Sequence, residues 1–171
     1  MGEPGATLER RLQSSPFWRR VGFRLESASE GTVRVRLPYH EGNTTAATAL
    51  HGGAIAATLD AAAMLASWST IERDMESQIG RTLACDVSYL AGALGEDIFG
   101  EDEVLRRGRE IVYSHTRADN GDGKLLAVAN HIAQIAPTEP LPAAPTDPAA
   151  PDWPGARTSR GLGALPQPDA A

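Results

Sequence analysis

Residues 46–71 read AATALHGGAIAATLDAAAMLASWSTI, small and apolar almost without a break, and Asp60 is the one formally charged side chain among them. A run this rich in alanine and leucine favours helix, and a helix that is apolar all round must be covered all round. The helical neighbours of Asp60 are Ala56, Ala57, Ala63 and Met64, so no cation stands within a turn of it. A carboxylate in that setting loses hydration unless another part of the fold satisfies it. Such a group is a candidate for chemistry. Nine residues upstream, His51-Gly52-Gly53 is placed to open the same helix.

The cover for this helix comes from strands. Val33, Val35 and Leu37 alternate with Thr32, Arg34 and Arg36, and Ser29-Glu30-Gly31 turns the chain, which predicts a hairpin of residues 21–28 with Thr32–Leu37. The long helix is expected over about residues 52–71. Four extended segments follow, at about 82–90, 97–107, 110–117 and 124–135. Arg107-Gly108-Arg109 and Asp119-Asn120-Gly121-Asp122-Gly123 supply turns. Residues 7–20 read as a short amphipathic helix interrupted by Pro16. The result is an α+β class, one central helix with a curved antiparallel sheet around it. Ala54, Ala56, Ala57 and Ala66 permit close approach of sheet to helix. Asp102 falls in phase with Ile98, Gly100 and Val104, on the side of its strand that is otherwise apolar.

Residues 1–20 form an N-terminal helical segment and 21–136 the main domain. From residue 137 to 171 the composition shifts to Pro, Ala and Gly, and all of the 12 prolines except Pro4, Pro16 and Pro38 lie there. That segment has too little apolar surface to offset its ordering entropy and is expected to be a disordered tail.

Composition narrows the function. A net charge of −6 argues against nucleic acid as a partner, and the arginine clusters are short. A single cysteine, Cys85, excludes an internal disulfide and fits a reducing, cytoplasmic setting. The N-terminus has no apolar core of a secretory signal. Residues 46–71 are long enough to span a bilayer, but alanine, glycine and a mid-run Asp60 read as protein core instead. His40, His115 and His131 lack metal-like spacing, and no second cysteine supports a zinc site. His115 and His131 are expected to face each other across adjacent strands. No phosphate loop, nucleophile elbow or dinucleotide fingerprint is present.

A helix opened by His51-Gly52-Gly53 with Asp60 on it resembles the hotdog-fold acyl-CoA thioesterases of the phenylacetate-degradation type. Thr82, Tyr89-Leu90, Gly95-Glu96-Asp97, Arg106-Arg107-Gly108-Arg109 and the DGKLLAVANH strand extend the resemblance over about residues 20–136. It implies hydrolysis of acyl-CoA thioesters by a homodimer or dimer of dimers, with no metal or redox cofactor and coenzyme A entering only as part of the substrate. Gly52 and Gly53 would present free N–H groups at a helix N-terminus, and the Gly52 N–H would hold the developing oxyanion. Asp60 would act as general base or as nucleophile. About 12 Å of helical rise separates it from Gly52, so Asp60 of one chain would face Gly52 of the other. His51 would hold the substrate loop, or make a purely structural hydrogen bond. Thr82 would orient the water or the carboxylate. Tyr89 and Leu90 would border the acyl-CoA groove, and Arg106, Arg107, Gly108 and Arg109 would meet the phosphates of the nucleotide end. Two positions depart from the family. Thr45 stands where Asn is frequent, with Asn43 the nearest substitute, and Gly92 stands where Pro is usual. Two other readings remain: an acyl-CoA-binding protein with weak or no catalysis, and hydration of an enoyl thioester. The latter usually needs an Asp/His pair within hydrogen-bond reach, and His51 lies off the helical face of Asp60.

Overall fold

The structure is a computed structural model and describes residues 3–71 and 75–137. The expected tail, residues 137–171, lies outside the described residues except for Pro137.

Two helices lead the chain, α1 (Glu3–Ser14) and α2 (Pro16–Val21). Pro16 divides them as the sequence suggests. Ser15 accepts a hydrogen bond from the Trp18 N–H and caps α2, while Pro16 occupies a first-turn position where no N–H is needed. Leu8, Leu12 and Trp18 are buried in the same core as the rest of the fold.

The strands are β1 (Arg24–Ser29), β2 (Thr32–Leu37), β3 (Thr44–Ala46), β4 (Ala49–Leu50), β5 (Gln78–Tyr89), β6 (Ile98–Arg107), β7 (Ile111–Asn120) and β8 (Leu125–Pro137). Helix α3 (Gly52–Ser69) lies between β4 and β5. Six strands form one antiparallel sheet in the order β1-β2-β6-β7-β8-β5, and β3 with β4 makes a separate small hairpin. That hairpin was not anticipated. It is short, and Ala47 at its turn has a φ of 46°, a left-handed conformation that carries no glycine signal.

Helix α3 sits against one face of the sheet, as the hotdog arrangement requires. From Ala61 to Ser69 every residue is buried, which explains why this half carries no polar stripe. The first half is different. Gly53, Ala56, Ala57 and Asp60 recur at helical spacing and stay partly open. Small residues set the closeness of the layers. A Cβ at Gly100 on β6 would lie 2.9 Å from the backbone oxygen of Thr58 on α3. The β1–β2 hairpin turns at Gly31, whose φ of 73° suits glycine and whose N–H bonds Ser69 Oγ at the end of α3.

Candidate active site

Asp60 is held from two strands that lie far from it in sequence. Thr82 Oγ1 on β5 donates to Asp60 Oδ1 at 2.7 Å. His131 Nε2 on β8 lies 3.1 Å from the same oxygen and 3.3 Å from Thr82 Oγ1. Thr82 is on the edge strand next to β8, which brings its hydroxyl beside the imidazole. Asp60 Oδ2 has no hydrogen-bond partner among the described residues. Burial alone would push the Asp60 carboxyl up. The hydrogen bonds from His131 and Thr82, with the charge of His131, outweigh that and hold it below its ordinary value. The result is an ionised carboxylate with one oxygen fixed and the other open.

His131 was missed as a site residue. Across β7 and β8 the register pairs Ser114 with His131 and His115 with Asn130. The two histidines therefore face opposite sides of the sheet rather than each other. His115 makes its contact on the outer face, with Asn130 Oδ1 at 3.2 Å. A signal existed. His131 is in phase with Ala127, Ala129, Ala133 and Ile135, all buried, so it is a titratable side chain on the core face of a strand.

At the start of α3 one side chain and the His51 carbonyl take up the first amides. His51 Nδ1 accepts from the Gly53 N–H at 2.8 Å, so the imidazole is the helix cap. Ala54 and Ile55 bond the His51 carbonyl. Gly52 is then the one amide of the first turn with no partner among the described residues. Its own carbonyl accepts from Tyr89 OH at 3.1 Å, which ties the end of β5 to the helix start. Asn43 is structural. Its side chain bonds the Val21 carbonyl at 3.0 Å, and its carbonyl receives the His51 N–H at 2.8 Å. Thr45 is exposed on β3. Leu90 is exposed, with its N–H on the Leu126 carbonyl.

The arginine hairpin lies elsewhere. Arg107 and Arg109 line a hollow with Ile71, Gln78, Glu110, Ile135 and Pro137, at the C-terminal end of α3. Arg106, Gly108 and Arg109 border a second hollow with Tyr113. Within one chain Gly52 and these arginines are at opposite ends of the helix, with Asp60 between. Arg107 Nη1 is buried and has no hydrogen-bond partner among the described residues.

Among the described residues no helix is long and apolar enough to cross a membrane, and no cluster of His, Cys, Asp and Glu is set to hold a metal.

A long helix wrapped by an antiparallel sheet, with a hydrogen-bonded carboxylate on the helix, defines a hotdog-fold protein. Residues 48–127 match the Thioesterase superfamily. A protein of Halobacterium salinarum, named as a candidate esterase, is 33% identical over 116 residues, covering 64% of this chain and 76% of that one. The chain belongs to the thioesterase superfamily. Solved structures share its fold. A thioesterase family protein from Silicibacter pomeroyi aligns with a TM-score of 0.72 at 23% identity, over 79% of this chain and 99% of its own. A hypothetical thioesterase from Streptococcus pneumoniae, solved with coenzyme A, aligns with a TM-score of 0.60 at 18% identity, over 69% and 88%.

Proposed function

We propose that this chain hydrolyses acyl-CoA thioesters to the free acid and CoA, as a cytoplasmic homodimer or dimer of dimers close to the phenylacetate-degradation type. The observation that carries this reading is the asymmetry of Asp60, with Oδ1 bonded twice and Oδ2 free. As base, Oδ2 takes a proton from water, and the hydroxide adds to the thioester carbonyl. The tetrahedral oxyanion rests on the Gly52 N–H of a second copy. Its collapse breaks the C–S bond, and the CoA thiolate takes the proton back from Asp60. As nucleophile, Oδ2 attacks the carbonyl, the C–S bond breaks and the CoA thiolate leaves; water then cleaves the mixed anhydride to free acid and the Asp60 carboxylate, and the thiolate takes up the proton that is released. Water is the only co-reactant in either route, and no metal or redox cofactor takes part.

Two features support the second copy. Strand β5 is an edge, bonded only to β8, and Leu83, Tyr89, Leu90 and Leu94 are exposed along it and just beyond. The partly open stripe of Gly53, Ala56, Ala57 and Asp60 admits close approach of another surface. The unpartnered Arg107 Nη1 suits a phosphate of the nucleotide end. A likeness in fold to a protein solved with coenzyme A agrees with that substrate class.

The hydration reading gains an Asp/His pair but loses the histidine as a participant. The His131 side chain is 0% exposed and its Nε2 is engaged on Asp60, so it offers no nitrogen to a substrate.

The test is free-thiol release from short, medium, long and aromatic acyl-CoAs by wild type and Asp60→Asn. Turnover by the wild type that falls by about three orders of magnitude in the variant, with the dimer intact, is the expected result. Wild-type protein that binds CoA and releases no thiol from any substrate would shift the reading to an acyl-CoA-binding protein.

A further inference from the structure

Behind Asp60, three buried polar atoms have no hydrogen-bond partner among the described residues: His131 Nδ1, Ser114 Oγ and Asp102 Oδ2. They occupy neighbouring places on the helix-facing side of the sheet. Ser114 is the cross-strand partner of His131 between β7 and β8. Asp102 on β6 is the partner of Thr116, two residues along β7 from Ser114. Residues two apart on a strand share a face, and diagonal neighbours across strands come within reach of one another. Asp102 and Thr116 are 0% exposed, His131 1% and Ser114 3%. Thr116 Oγ1 donates to Asp102 Oδ1 and leaves Oδ2 to the Ser114 side. Polar atoms left without a partner this deep are costly, and apolar side chains of similar size would remove that cost. Stability does not account for such a string, and its free end is Asp60.

We propose that Asp102 and Ser114 act through His131 as positioning residues for Asp60, the Ser114 hydroxyl standing between the Asp102 carboxyl and His131 Nδ1. The proposal rests on Asp60 being the acting carboxylate. A small turn of the Ser114 hydroxyl would join Asp102 Oδ2, Ser114 Oγ and His131 Nδ1 into one string and fix the ring that presents Nε2 to Asp60. Burial pushes the Asp102 carboxyl up to about 6, which makes its proton exchangeable near neutral pH. On the face that Asp102 looks into, α3 brings Asp60 as its only charged group. Strand β8 brings His131 and β5 brings Cys85, whose thiol burial pushes up to about 11. Strand β2 brings Val33 and Val35, and His115 of β7 is on the outer face. A ring fixed in this way clamps Oδ1 and keeps Oδ2 toward the substrate.

The experiment is steady-state kinetics on the best acyl-CoA in the full chain, for wild type, Asp102→Asn, Ser114→Ala and Ser114→Thr. Ser114→Ala lowers kcat by about ten-fold or more with KM near wild type, and Ser114→Thr, which restores the hydroxyl, recovers most of it. A Ser114→Ala variant with wild-type kcat, or a Ser114→Thr variant no better than Ser114→Ala, would overturn the proposal. Full activity in Asp60→Asn would sink the role of Asp60 instead, and thiol release by that variant tells the two failures apart.

Discussion

On the proposed hydrolysis, Asp60 and Thr82 set the pH range of the site. The Asp60 carboxyl is held below its ordinary value, so the ionised form persists to lower pH than a free aspartate would allow. The acid limb of kcat/KM is therefore expected below the usual carboxylate range. Thr82→Val removes one of the hydrogen bonds that lower the value and leaves burial, which raises it. The limb should move to higher pH, and a pH–rate profile of the variant that overlays the wild type would show that Thr82 does not tune Asp60. Stability carries the same sign. The depressed carboxyl stabilises the fold above its unfolded value, and that contribution is lost as pH falls through the folded value. His51 stands where the sequence places it and takes the structural hydrogen bond, one of the two tasks expected of it. Its position at the helix start was legible, while its side chain is spent on the Gly53 N–H.

At the scale of elements, the contact between α3 and β6 is set by Gly100. A Cβ there would meet the Thr58 backbone oxygen and Cγ2, each at 2.9 Å, and the backbone has nowhere to yield without moving the helix. Gly100→Ala is expected to destabilise the protein by about 1–3 kcal/mol, read from the midpoint of urea unfolding. An unchanged midpoint would mean that helix and sheet are less tightly set than the distances say. The same contact explains a limit of periodicity. Strands and the long helix were legible because burial imposes periods of two and of nearly four. Their ends were less so. Strand β5 begins at Gln78 rather than near residue 82, because pairing with β8, and not local composition, decides where it starts.

For the whole molecule, the open edge at β5 and the distance between Gly52 and Asp60 point the same way. Leu83→Glu places a charge on that exposed edge. The variant should sediment as a monomer, keep its circular dichroism spectrum, and lose thioester turnover. A monomer with wild-type turnover would mean that one chain suffices for catalysis. From its residues alone the chain determined that one small-residue helix lies under an antiparallel sheet, and that the single carboxylate on it is the chemical candidate. Both follow from local pattern and from the cost of an uncovered apolar helix or an unsatisfied charge. What satisfies that charge was decided only in three dimensions. Thr82 and His131 lie 22 and 71 residues from Asp60. They reach it because the strand order places β5 beside β8 and the register turns His131, not Asn130, toward the helix. One residue of slip would reverse that choice. Register is a property of the paired strands together, and no single segment of the sequence contains it.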